Sequence, residues 1–160
     1  MLISKQLEAA INEQIGHELE ASHQYIQIAA FFDARALKKT AKMFLKQSEE
    51  EREHAMKFVK YVMETGGQVA VPAIPAGKAT FESAAEAVQY ALDWEWEVTR
   101  KINALMDIAR KEKDYLAEEF LGWYVTEQLE EVSNMDNLLK VIKQAGDKNL
   151  IMLEAYISHE

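Results

Sequence analysis

Apolar residues recur along this chain in steps of three and four through four long stretches, the spacing of one buried helix face. The first stretch runs from about Ser4 to Asp33, with Ser4 placed as an N-cap. The second runs from about Leu37 to Thr65 and stops at Gly66-Gly67, a C-terminal signal. Ser83-Ala84-Ala85-Glu86 is a capping-box pattern that opens a third, running to about Lys113. Asp114 caps a fourth that ends at Gly146, and a short fifth segment, about Lys148 to Ser158, closes the chain.

The connections set the topology. Few residues join the first stretch to the second or the third to the fourth, so each pair is expected to be an antiparallel hairpin. Between the pairs lies Gly67 to Thr80, nearly uncharged, rich in Val and Ala, and holding both prolines, Pro72 and Pro75. With its flanks it covers roughly 18 residues, which extended could reach about 60 Å. A helix of roughly 30 residues is about 45 Å long, so the linker can run the length of the bundle. That would leave the second and third helices parallel. Bundles with one such crossover are a known class, and the topology is taken from that class. The expectation is all-α: a four-helix up-down bundle with one long crossover between helices 2 and 3, plus a short C-terminal fifth helix. Residues 1–146 would form the bundle and residues 147–160 a short helix of the same domain.

Composition narrows the chemistry. A chain of 160 residues suffices for one domain with a real core. Cysteine is absent, so a bound metal must be held by oxygen and nitrogen. The net charge of −9, from 27 acidic and 18 basic residues, disfavours a nucleic-acid partner and favours cations. Glu8, Glu13, Glu18 and Glu20 interrupt the first 30 residues, which read as mature protein rather than a signal peptide. No apolar run is long enough to span a membrane, and a cytoplasmic location is expected.

The anomaly lies in the core columns. Steps of seven give Ile11, Glu18, Tyr25, Phe32 in the first helix and Leu37, Phe44, Glu51, Phe58 in the second. The third gives Val88, Glu95, Ile102, Ala109, and the fourth Tyr124, Glu131, Leu138, Ala145. Each column is apolar except for one carboxylate near mid-helix. A single such acid is most often a stripe-edge residue reaching solvent, and a single E-x-x-H step is a weak signal. Four acids at one height are another matter. Buried together they repel, so they take up protons or are neutralised by cations, and two divalent ions would cancel four charges. His54 follows Glu51 by three residues, on the same side of the helix, and adds one imidazole. Carboxylates with a single imidazole suit iron or manganese.

The chain resembles the prokaryotic non-haem ferritins over nearly its whole length. The resemblance rests on Asn12-Glu13-Gln14 with Glu18 and Tyr25, then on Glu50-Glu51-Arg52-Glu53-His54 and on Glu95 with Thr99 to Asn103. Its most specific part is Gly122-Trp123-Tyr124-Val125-Thr126-Glu127-Gln128, continuing to Glu130-Glu131. It implies a diiron ferroxidase centre in which Glu18, Glu51 and His54 bind the first iron. Glu51 would bridge to a second iron held by Glu95 and Glu131, with Gln128 close by. Glu50, Glu127 and Glu130 match a third iron site. Tyr25 matches a tyrosine beside the centre and Trp123 an aromatic neighbour, for which simple core packing is the plainer role. Arg52 stands where a bacterioferritin carries its haem-binding methionine, so no haem is expected. Gln128-Leu129-Glu130-Glu131 lacks that family's second E-x-x-H histidine.

The function implied is storage of iron: Fe(II) oxidised by O2 or H2O2, with the ferric product kept in a hollow 24-mer cage. The fifth segment would line a four-fold axis or pack back on its own bundle. Glu118 and Glu119 would line an entry pore or serve as solvated acids at a helix start. Two alternatives stand beside this reading. One is a small diiron oxidase or peroxidase without storage, and the other a non-catalytic helical interaction protein.

Overall fold

The computed structural model describes residues 1–157, and the regular structure among them is helical. The four long helices are α1 (Lys5–Asp33), α2 (Lys38–Glu64), α3 (Ala84–Glu112) and α4 (Tyr115–Ala145). A 3-10 turn at Asp147–Asn149 and a last helix, α5 (Met152–Ile157), follow. The fifth segment is therefore a turn and one short helix, and its expected end at Ser158 lies outside the described residues.

The expected caps are made. Ser4 Oγ accepts from the N–H of Leu7 at 3.0 Å, Ser83 Oγ from Glu86 at 3.1 Å, and Asp114 Oδ1 from Ala117 at 3.0 Å. The capping box is displaced by one residue, because Glu86 Oε2 accepts from the N–H of Glu82 at 2.6 Å rather than from Ser83. Leu37 has no side chain to cap α2. A residue from the far end of the chain does it instead: the Glu154 carboxylate accepts from the N–H groups of Lys39 and Thr40 at 2.9 and 3.0 Å. A negative charge there also suits the helix dipole. Leu153, fully buried in the core, anchors α5 beside it. The fifth segment thus packs back on its own bundle.

The crossover follows α1. Glu8 Oε2 accepts from Gln68 N–H at 3.0 Å, and Asn12 bonds the main chain of Gln68 and Ala70 at 2.9 and 3.0 Å. Further along, Gln24 exchanges two bonds with the main chain of Lys78 at 2.8 and 3.0 Å. Numbers rise together on both sides, so the linker runs in the direction of α1, opposite to α2. Hence α3 starts at the far end and runs parallel to α2, and Ser4 of the first turn meets Glu112 of the last at 2.8 Å. Gly16 is what lets the linker lie so close. A Cβ there would sit 2.3 Å from Pro72 Cγ, which outweighs the cost of roughly 1 kcal/mol for glycine in a helix interior.

The apolar interior divides into two clusters. At the α5 end, Phe32 stacks on Phe44 with centroids 5.4 Å apart, among Ile28, Val88 and Leu138. At the Ser4 end, Phe58 stacks on Tyr124 at 4.1 Å, among Ile11, Ile15, Ile102 and Leu121. Between the two lies a layer of polar side chains.

Candidate metal centre

That layer is where the four heptad columns place their acids. Glu18 comes from α1, Glu51 from α2, Glu95 from α3 and Glu131 from α4, with His54 one turn beyond Glu51 and Gln128 one turn before Glu131. None of the six is more than 5% exposed. Glu18, Glu51 and His54 each offer a ligand atom, all within 4.8 Å of one another, and so do Glu51, Glu95 and Glu131. Glu51 belongs to both sets. A further set of the same spread joins His54, Glu127 and Glu131.

Hydrogen bonds fix the orientation of these groups. Tyr25 donates to Glu95 Oε1 at 2.5 Å. Gln128 Nε2 donates to Glu95 Oε2 at 3.2 Å and to the main-chain oxygen of Glu95 and Oγ1 of Thr99, both at 3.1 Å. Gln14 donates to Glu18 Oε1 at 3.1 Å. Gln47 donates to Glu51 Oε1 at 3.1 Å and to Glu131 Oε2 at 2.5 Å. The Tyr124 hydroxyl holds the main-chain oxygen of His54 at 2.6 Å, fixing the turn that carries the imidazole. His54 Nδ1 lies 3.3 Å from Glu51 Oε2 and 3.9 Å from Glu18 Oε2.

Charge here is costly. Burial first, then repulsion from Glu95 and Glu18, pushes the Glu51 carboxyl well above its ordinary range. Burial raises Glu95 to about 7, with the Tyr25 and Gln128 hydrogen bonds opposing it. Burial and the neighbouring Glu95 raise Glu131 to about 9, against the bond from Gln47. Burial also lifts the Tyr25 hydroxyl well above its usual value. A cation would relieve this strain, and one atom is already oriented for it. Glu18 Oε2 is buried, has no hydrogen-bond partner, and faces the His54 ring. Carboxylate oxygens with one imidazole form a hard donor set that fits iron.

The residues expected from the sequence lie where the columns place them, with differences at the margin. Glu50, Glu127 and Glu130 line one cavity of about 250 Å³ between α2 and α4. Of these three, Glu127 alone joins a set of ligand spacing, and its companions there are His54 and Glu131. Trp123 is not a core residue: it is 39% exposed, its ring edge-on to His54 at 5.3 Å with Lys57 Nζ 4.1 Å above it. Glu118 pairs with Arg110 at 3.0 Å, while Glu119 is exposed. Sequence reasoning gave Gln14, quoted in a motif, no role at the site, and it missed Gln47. Each precedes its glutamate by four residues, a spacing at which an amide and a carboxylate meet on a helix.

A family profile described as a ferritin-like domain matches residues 8–145. The chain belongs to the ferritin family. It is 41% identical to Ferritin BfrB of Mycolicibacterium smegmatis over 152 residues, 95% of this chain and 83% of that one. It is 36% identical to the bacterial non-heme ferritin of Staphylococcus aureus over 146 residues, 91% of this chain and 88% of that one. Among solved structures, an open pore ferritin from Archaeoglobus fulgidus superposes with a TM-score of 0.95 at 31% identity, covering 99% of this chain and 98% of that one. The four-helix bundle is therefore a ferritin bundle, and the family is one of iron storage. No helix among the described residues of this ferritin is long and apolar enough to cross a membrane.

Proposed function

We propose that this ferritin oxidises Fe(II) to Fe(III) with dioxygen at a two-iron centre inside each subunit, and stores the product in a hollow cytoplasmic cage of its own copies. The observation that carries the reading is the double membership of Glu51 in two buried ligand sets. One carboxylate between two cation positions brings two one-electron donors side by side. Iron is the substrate here. Glu18, Glu51 and His54 receive the first ion, and Glu51, Glu95 and Glu131 the second.

The electrons then balance: two Fe(II), one O2 and two protons give two Fe(III) and one H2O2. Hard oxygen donors favour the ferric product and drive the step forward. Tyr25 and Gln128 each hold one oxygen of Glu95, which fixes the carboxylate that joins Glu51 and Glu131 in the second set. The protons displaced from Glu51, Glu95 and Glu131 as metal enters leave the layer ionised for the higher charge of Fe(III). Glu50, Glu127 and Glu130 form the next acidic stop outside the centre. By likeness to the family, the cage is a 24-mer.

Anaerobic loading of the purified apoprotein with Fe(II), then exposure to air beside a sizing run, tests this. The expected result is saturation at about two or three Fe(II) per subunit, rapid oxygen uptake, and a large shell that retains far more iron. Oxidation by a small oligomer holding stoichiometric iron alone would replace it with the diiron oxidase. An apoprotein that takes up no Fe(II) refutes both.

A further inference from the structure

We propose that Gln47 is the gate between the buried centre and the acid-lined cavity on the α2–α4 side, an inference that rests on the two-iron reading above. The residues of the centre are almost sealed from solvent, so a side chain must move before an ion enters or leaves. Two cavities reach the layer from different sides. One, of about 500 Å³, lies between α3 and α4 and ends on Gln128. Its walls include Trp96, Val125, Leu129 and Val132, and Asp136 is the one acid among its lining residues. The other, of about 250 Å³, ends on Gln47 and Glu131, and is lined by Glu50, Glu127 and Glu130 against a single lysine, Lys46. A cation is drawn to the second.

Each cavity is lined by a side-chain amide bonded to a carboxylate of the layer, and the two amides are held differently. Gln128 also donates to a ligand carboxylate, Glu95, but it keeps two anchors that metal does not take, a main-chain oxygen and a threonine hydroxyl. The Gln47 amide donates to Glu51 and Glu131. Its hold on the doorway therefore depends on two of the carboxylates that a cation would take. An ion approaching Glu131 from the cavity competes for those lone pairs and frees the amide to swing aside. When the ion moves on, the carboxylates recapture it. Being uncharged, the amide neither repels the passing cation nor traps it. Glu131 lines the cavity and also belongs with Glu51 and Glu95 to a buried ligand set, so it can pass an ion from the cavity to the centre.

Cobalt(II) is a suitable probe, since its visible absorption reports on its ligands. Uptake by the assembled apoprotein, and loss to an added chelator, would be followed by stopped flow. In Gln47→Ala, both rates are expected to rise at least ten-fold while the dissociation constant stays within about three-fold of wild type. Gln47→Asn, which keeps the amide on a shorter stem, should fall between the two. Leu129→Trp, at the mouth of the other cavity, should leave both rates unchanged. Unaltered rates in Gln47→Ala would overturn the gate. So would a faster loss with unchanged uptake, which marks a residue that only positions ligands. Slowed exchange in Leu129→Trp would also overturn it by placing the door on the α3–α4 side. A wild-type protein that binds no cobalt would instead count against the two-iron centre itself.

Discussion

The apolar clusters and the polar layer between them come from the same four helices and the same heptad columns, yet they are held by opposite means. Around Phe32 and Phe44, or Phe58 and Tyr124, stacked rings and aliphatic side chains fill space and need nothing from outside. In the layer, four carboxylates share a volume in which burial, and then neighbouring acids, disfavour the charged forms of Glu51, Glu95 and Glu131. The clusters hold the bundle together. The layer weakens it until a cation arrives, and the rigidity of the two ends keeps its ligands converged. A site of this kind is affordable only because dry packing flanks it on both sides.

The largest effect should come from breaking a cluster. Phe32 is fully buried and stacked on Phe44, and Phe32→Ala is expected to cost about 3–5 kcal/mol of stability through lost burial and the cavity left behind. Denaturant unfolding of the apoprotein, and of the cobalt-loaded protein, should show the same loss. A loss confined to one form would mean that the clusters and the layer are not separate supports.

Next in size is the pH dependence of the layer. Burial raises Glu95 to about 7 and Glu131 to about 9 in the fold, against 4.5 for an ordinary carboxyl. Between those limits the folded state binds more protons than the unfolded one, so stability falls as pH rises. At roughly 1.4 kcal/mol per pK unit, the fall from pH 5 to pH 9 should reach several kcal/mol. Metal binding releases those protons, so the stabilisation by cobalt should grow over the same window. An apoprotein whose unfolding midpoint is flat from pH 5 to 9 would show that the acids are not the burden described. Glu8, Glu86 and Glu97 act in the other direction. Hydrogen bonds, from Gln68, Glu82 and Arg100 respectively, hold them below the usual range, so their contribution disappears on the acid side.

A smaller change, opposite in sign to Phe32→Ala, is expected from Glu51→Gln. Replacing one ionisable group of the crowded layer by a neutral amide should raise the stability of the apoprotein at pH 8 by about 1–2 kcal/mol. Cobalt titration should then show both ion positions impaired, since Glu51 serves both sets. Loss of one ion with the other bound at wild-type affinity would refute the shared role.

These contrasts also explain what could be read from the chain. The layer was legible because a glutamate inside a column such as Val88, Glu95, Ile102, Ala109 is out of place, and four such misfits at one height coincide. The crossover was legible from its length, which allows parallel α2 and α3, the arrangement of bundles with one such connection. Its path was not, because Glu8, Asn12 and Gln24 look like ordinary surface residues until the linker lies across them. Gly16 announces its purpose only beside Pro72. The capping of α2 by Glu154 was hidden by sequence distance. Gln47 escaped notice for another reason: a neutral amide breaks no pattern, and its hydrogen bond to Glu131 crosses from α2 to α4.

The smallest effect tests the boundary between the two regions. Ser22 and Ser48 stand one turn from Glu18 and Glu51, and each hydroxyl donates to the main-chain oxygen of the other at 2.8 and 2.7 Å. These are buried polar groups like the carboxylates, but the protein itself satisfies them. Ser22→Ala should therefore cost about 1 kcal/mol, the net worth of one neutral hydrogen bond. The cost should be the same at pH 5 and pH 9, with or without cobalt, because no proton or ion takes part. Unfolding at the four combinations decides it. A cost that changes with pH or metal would mean that the serine pair belongs to the centre, and that the layer extends a turn further than the acids mark.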